Sequence, residues 1–170
     1  MKPYLVVFLS FTFLSASCPA AETAAKPGAG SAQTSLLDLP YSRQQTLQTF
    51  TKTVHGGLQL VVAKSNNDTM QIKLIQSHLF KIANQFRKGD FSVTERMHGP
   101  KMPGLAQLKT AQTDDIKFEY KSLMNGAQIH YTSEYPQYVQ ALHEWFDAQS
   151  IEHGNDQIPG VIQHPTSPSE

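Results

Sequence analysis

One pattern in this 170-residue chain occurs twice, 69 positions apart, and it constrains the fold more than any other feature. Segment 49–62 aligns with segment 118–131, and in both copies apolar and polar residues alternate on either side of a tight-turn signal. The identical pairs are Lys52 with Lys121, Gly57 with Gly126, and Gln59 with Gln128. Each copy is therefore predicted to form a β-hairpin, and the repeat indicates an internal duplication.

The turn signals and the alternation predict how each hairpin folds. Asn125-Gly126 favours a type I′ turn, in which both central residues take positive φ angles, and Gly56-Gly57 can adopt the same angles. With a period of two, the residues expected to share one face are Leu58, Leu60 and Val62 in the first copy and Ala127, Ile129 and Tyr131 in the second. These aligned positions are expected to face a common core.

Each hairpin leads into a segment with the apolar spacing of a helix. The apolar residues are Ile72, Ile75, Leu79, Ile82 and Phe86 before Gly89, and Val139, Leu142 and Phe146 between Pro136 and Gly154. A hairpin with one helix cannot bury its apolar face alone, whereas two copies can. We therefore predict an α+β fold in which two tandem β-β-α repeats form one antiparallel sheet packed on two helices.

The remaining segments differ in composition from the duplicated domain. The amino-terminal segment is mostly apolar, the next segment is rich in small and polar residues, and the carboxy-terminal segment is rich in proline. In order, we predict a signal peptide (1–20), a flexible spacer (21–45), the duplicated domain (46–154) and a disordered tail (155–170). The domain divides into repeat one (46–89), a connecting loop (90–115) and repeat two (116–154). A loop of that length is expected to be functional or to pack across the open face of the sheet.

The amino terminus has the parts of a secretory signal peptide. Lys2 supplies the positive charge, and the apolar residues 4–14 would rise only about 16 Å as a helix, too short to span a bilayer. Cleavage after Ala20 would release a periplasmic or secreted protein. Cleavage before Cys18 would instead give a lipoprotein anchored to a membrane, but Ser15 lies where a lipobox needs leucine.

Charge and cysteine content exclude several classes of function. Removal of residues 1–20 leaves thirteen basic and fourteen acidic residues, so the mature chain has no basic field for nucleic acid. Cys18 is the only cysteine, so the domain has no disulfide, catalytic thiol or cysteine metal ligand. No nucleophile elbow or glycine-rich phosphate loop occurs. We therefore expect a binding or accessory protein, with an enzyme of unrecognised type as an alternative.

Several motifs resemble a family of small exported bacterial proteins with no established activity. They are Gly89-Asp-Phe-Ser92, His98-Gly-x-x-Met-Pro-Gly-Leu105, Asn125-Gly-Ala127, His143-x-Trp-Phe-Asp-Ala-Gln149 and His153-Gly154. Some family members carry the label aspartate carbamoyltransferase. That enzyme needs a Ser-Thr-Arg-Thr-Arg loop for carbamoyl phosphate, whereas the three arginines here are widely separated. The resemblance, which runs from about Phe50 to Gly154, implies export and leaves that label without supporting motifs.

Met97, His98 and Met102 form the densest group of candidate ligands. Thioether and imidazole donors in an exported domain without cysteine suit copper, and His78, His143 or His153 can add a ligand if the connecting segment folds back over the helices. The alternative is that both methionines only pin the segment to the core. The other candidate ligand-face residues are His78, Trp145, Asp147 and His153.

Besides an enzyme of unrecognised type, two functions therefore stay open from the sequence. One is a module that binds a partner protein or small ligand through the 89–115 segment and the His/Trp face of the second helix. The other is a periplasmic copper-binding protein. A zinc hydrolase is disfavoured, because His143-Glu144 is followed by Asp147 where the zinc-protease motif has its second histidine.

Overall fold

The computed structural model describes residues 39–156 and 158, which form a four-stranded antiparallel sheet and four α-helices. The strands are β1 (Thr46–Thr53), β2 (Gly56–Ala63), β3 (Lys117–Leu123) and β4 (Gly126–Thr132). The helices are α1 (Thr69–Phe86), α2 (Ser92–His98), α3 (Leu105–Leu108) and α4 (Pro136–His153). The strand order is β1-β2-β4-β3, so the second strands of both hairpins meet at the centre. The predicted α+β fold of two β-β-α units is confirmed.

Local signals explain where the two long helices start and end. Asp68 accepts a hydrogen bond from the backbone N–H of Gln71 at 3.1 Å and so caps α1. Pro136 lies in the first turn of α4, where its missing N–H costs no helical hydrogen bond. Gly154, with a φ of 76°, follows the last residue of α4.

Each long helix packs mainly against the hairpin of the other repeat. From α1, the ring of Phe86 lies edge-on to Phe118 of β3, with 5.6 Å between centroids. From α4, the ring of Phe146 lies edge-on to Phe50 of β1, also at 5.6 Å. Both helices reach the fully buried Tyr131 of β4. Because each hairpin is covered mainly by the helix of the other repeat, the core needs both repeats.

The two hairpins correspond at a shift of 70 residues rather than 69, because their turns are residues 54–55 and 124–125. Val61 pairs with Ala127 in the sheet, which places the odd-numbered residues of β2 on the helix side. Leu58, Leu60 and Val62 do share one face, and Leu60 and Val62 are buried, each 5% exposed. Their predicted match to the face of Ala127, Ile129 and Tyr131 is wrong, because the helix side of β2 carries Gly57, Gln59 and Val61. A slip of one residue reverses every side chain of a strand.

The predicted type I′ turn at Asn125-Gly126 is also wrong. Within the described residues, Asp114 is the only non-glycine residue with a positive φ, so Asn125 lacks the angle that a type I′ turn requires. Gly126 instead begins β4, where a Cβ atom would lie 2.1 Å from the carbonyl oxygen of Val61. Glycine is needed there because the two central strands approach closely.

The connecting segment 90–115, predicted to be a loop, contains α2 and α3. The sequence signal was weak because both helices are short and neither has a side-chain cap. The segment packs on the helix side of the sheet rather than across the open face: Phe91 stacks on Phe86 at 4.7 Å. Gly104, with a φ of 73°, lies so close to α4 that a Cβ would come within 2.1 Å of the Ala141 carbonyl oxygen.

The packed chain extends past the predicted domain at both ends. Tyr41, assigned to the spacer, is buried in the core. Asn155 and Asp156, assigned to the tail, accept hydrogen bonds from the backbone N–H groups of Phe50 and Gln48 at the edge of β1. The predictions for residues 1–38, which include the signal peptide and Cys18, and for residues 159–170 lie outside the described residues. Among the residues described, no helix has the length and apolar character to cross a membrane.

Candidate metal centre

A cavity of about 50 Å³ lies between α1, α2 and α4 on the helix side of the sheet. Its volume is sufficient for an ion or a few water molecules. Two helices contribute residues spaced four apart, which share one face of a helix. These are His78, Ile82 and Phe86 from α1, and Trp145, Gln149 and His153 from α4; α2 adds Met97 and His98. The connecting segment thus folds back over the long helices and brings several predicted ligands together.

His98 and His153 form the centre of this arrangement. Their Nε2 atoms lie 3.2 Å apart, and the two rings meet edge-on with 4.8 Å between centroids. The Nδ1 atom of His98 contacts a carboxylate oxygen of Glu152. Only 3% of the His98 side chain is exposed, so this contact is shielded from water on the histidine side. His98, Glu152 and His153 each offer a potential metal ligand atom within 4.8 Å of one another.

Arg43 completes a chain of polar contacts at the site. Its Nη1 atom lies 2.7 Å from Nδ1 of His153, and its other terminal nitrogen donates to the backbone carbonyl of His153. Because a guanidinium group can only donate, Nδ1 of His153 must accept. The proton of a neutral His153 is then on Nε2 and is donated to Nε2 of His98, whose Nδ1–H is donated to Glu152. The contacts therefore define one tautomer for each imidazole.

Burial lowers the pKa values of two histidines in the cavity wall, His153 and His78. Burial, followed by the neighbouring His98 and Arg43, lowers the pKa of His153 to about 4. Burial, followed by Lys81, lowers the pKa of His78 to about 4. Both imidazoles are therefore neutral at physiological pH, the form in which histidine binds metal ions.

Trp145 contributes its indole ring to the same cavity wall. Its ring is only 3% exposed and packs against Phe86 and Tyr131, as expected for a core residue. Its indole Nε1 has no hydrogen-bond partner among the described residues. The ring is too deeply buried to serve as a docking face for another protein.

The remaining predicted ligands lie elsewhere. The sulfur of Met102 faces the amide of Gln149 at 3.9 Å and is buried in the core. His143 contacts the backbone carbonyl oxygen of Thr53 at 2.9 Å. It lies ten residues before His153, or about 15 Å along α4. Asp147 is exposed and forms an ion pair with a lysine of β1. The structure does not bring these three residues to the His98–His153 pair.

Sequence reasoning did not identify Arg43 and Glu152 as members of this site. Arg43 lies 110 positions from His153, and no local pattern relates the two. Glu152 could have been found, because Glu152-His153 ends a helix next to the conspicuous Gly154. The stripe Trp145, Gln149 and His153 was also readable from helical spacing, and it would have favoured His153 over His143 as a ligand.

No protein-family model matches the chain, and comparisons with curated proteins and with solved structures find no significant match. The resemblance described above therefore rests on its short motifs and stays a prediction. The function has to be inferred from the chemistry of the cavity itself.

Proposed function

We propose that this protein binds a transition-metal ion, with copper favoured, at a site formed by His98, His153 and Met97. The observation that carries the proposal is the 3.2 Å separation of the two Nε2 atoms. Two imidazole nitrogens bound to one tetrahedral ion, each about 2.0 to 2.1 Å from it, lie roughly 3.3 Å apart. The two rings are thus already placed at the spacing of ligands to a shared ion.

The surroundings of the pair also suit a metal site. A histidine ligand usually donates its other ring N–H to a carboxylate, which orients the ring and raises its basicity. Glu152 is in this position relative to His98. Met97 lines the same cavity and supplies a thioether, the soft donor that favours Cu(I) over harder ions. Trp145 adds an aromatic wall suited to a cation.

The proposal is tested by equilibrium titration of the purified chain with Cu(I), under anaerobic conditions and against a chromophoric chelator. One ion per chain is expected. Because loss of an outer partner typically costs about 10- to 100-fold in affinity, Glu152→Gln should weaken binding by about that factor. A His98→Asn/His153→Asn double variant should lose at least as much. The fluorescence of Trp145, the only tryptophan, should be quenched as the ion binds.

Two histidines outside the cavity serve as matched controls. His143→Gln alters the same helix without touching the cavity, and His55→Gln alters an exposed turn. Both variants should bind Cu(I) like the original chain. Unchanged stoichiometry and affinity in the double variant, or a strong loss in His143→Gln, would refute the proposed ligand set.

We also propose that the protein works outside the cytoplasm, after removal of the predicted leader. This location rests on residues 1–20 and agrees with copper handling, since an exported domain without cysteine has imidazole and thioether as its main soft ligands. Mass spectrometry of the protein from the producing cells tests it. A mature chain starting at Ala21 is expected; a lipid on Cys18 would support the anchored form instead.

A further inference from the structure

The contact of Arg43 with the ring of His153 is incompatible with an ion bound at Nε2 of that ring. In the described structure its guanidinium donates to Nδ1 of His153, which forces the proton of that ring onto Nε2. A metal ion at Nε2 needs the lone pair of that atom, so the proton must move to Nδ1. Nδ1–H and the arginine N–H would then be two donors facing each other. Ion binding therefore breaks the contact between Arg43 and the ring of His153.

Arg43 also places a fixed positive charge beside the site. It is half-buried and is held by two contacts to His153, one through the ring and one through the backbone carbonyl. The repulsion between this charge and a bound ion is proportional to the charge of the ion. The factor by which the repulsion lowers the affinity for a divalent ion is therefore the square of the factor for a monovalent ion. Glu152, the acidic partner of His98, offsets this repulsion in part.

We infer that Arg43 is a selectivity residue that disfavours divalent ions relative to Cu(I) at the His98–His153 pair. This inference rests on the proposed function and adds to it the charge of the ion. The loss of the arginine contact affects all ions equally, whereas the charge repulsion distinguishes them. The ratio of Cu(I) to Zn²⁺ affinity therefore isolates the selective effect. Both ions have a filled d shell, so neither imposes a ligand-field geometry.

The test compares Cu(I) and Zn²⁺ affinities of the full chain with those of Arg43→Gln and Arg43→Lys. In Arg43→Gln the positive charge is gone, and the amide oxygen can accept the Nδ1–H of His153. Both ions should bind more tightly, and the gain for Zn²⁺ should exceed the gain for Cu(I) by about tenfold. Arg43→Lys keeps the charge and should leave the ratio within about threefold of the original.

A second variant does not depend on how well the arginine variants fold. Glu152 is 45% exposed, so Glu152→Gln is expected to fold normally. Removing this negative charge should shift the ratio in the opposite direction, with Zn²⁺ losing more affinity than Cu(I). Thermal unfolding of each variant identifies any loss of structure.

The outcomes separate this inference from the proposed function. If the original chain binds Cu(I) at the pair but the ratio stays constant in Arg43→Gln and Glu152→Gln, the selectivity inference is wrong and the metal site stands. Weaker binding of both ions in a folded Arg43→Gln would also overturn the inference. If neither the original chain nor Arg43→Gln binds an ion, both conclusions fail. Binding that appears only in Arg43→Gln would support the role of Arg43 and refute the native site.

Discussion

The ring of Phe146 lies directly against Gly57, where an added Cβ atom would come within 2.1 Å of the Cε2 atom of the ring. Gly57 belongs to the hairpin of repeat one, and Phe146 belongs to the helix of repeat two. Phe146 is only 1% exposed and cannot move away into solvent. This contact sets the distance between α4 and the sheet, and it shows which face of β2 carries the core.

Gly57→Ala should therefore destabilise the protein although its backbone φ lies outside the left-handed region. Overpacking of a well-filled core typically costs about 1–3 kcal/mol, and we expect a loss of that size in the free energy of unfolding. Urea unfolding followed by far-ultraviolet circular dichroism measures it. The double variant Gly57→Ala/Phe146→Leu is the control, because leucine leaves room for the new methyl group. If the loss in the double variant equals the sum of the losses in Gly57→Ala and Phe146→Leu alone, the ring is not the source of the cost.

The same contact shows what the sequence could and could not predict about the sheet. The hairpins, the two long helices and their order followed from turn signals and apolar spacing. The register did not, because Leu60, Val61 and Val62 are all apolar and a continuous apolar run does not reveal which face meets the helices. The identities at a shift of 69 favoured the wrong face. The packing of each helix on the other hairpin is a tertiary choice without a local signal.

The candidate site was predictable only in part, for a similar reason. Met97, His98 and Met102 form the densest donor group in the sequence, whereas His153, on the helical stripe of Trp145, is one of several further candidates. Which histidine meets His98 depends on where the connecting segment crosses α4. That crossing is set by close packing at Gly104, which spacing alone does not reveal. Arg43 lies in the segment predicted to be a flexible spacer, where no local pattern relates its charge to a histidine 110 residues away.

The buried histidines should make the stability depend on pH. Burial and Lys81 lower the pKa of His78 to about 4 in the folded protein, against an ordinary value near 6.5. Between those values the unfolded chain binds more protons, so the free energy of unfolding falls as the pH decreases from about 6.5 to about 4 and is unaffected above pH 7. For His78 the slope is at most about 1.4 kcal/mol per pH unit. His153 acts in the same direction.

Two measurements check this pH dependence. Chemical denaturation between pH 4 and pH 7 should give a shallower slope for His78→Gln than for the original chain. The NMR titration of the His78 ring should have its midpoint near pH 4. A midpoint near 6.5 would mean that burial does not disfavour the charged ring.

Asp147 should be dispensable for both stability and ion binding. Its carboxylate pairs with Lys52 at 2.8 Å, but the side chains are 59% and 33% exposed. Exposed ion pairs typically contribute about 0.2 to 1 kcal/mol, so Asp147→Asn should change the free energy of unfolding by no more than that. Its Cu(I) affinity should equal that of the original chain. A marked loss of affinity in this variant would place the ion nearer the middle of α4 than proposed.

X-ray absorption at the copper edge of the Cu(I) complex is the decisive test of the His98–His153 site, because it reports the atoms bound to the ion. Two imidazole ligands and one sulfur ligand are expected, with one imidazole lost in each of His98→Asn and His153→Asn and the sulfur lost in Met97→Leu. A spectrum that is the same in these variants, or that shows no imidazole scattering, would contradict the assignment of the His98–His153 pair as a metal site.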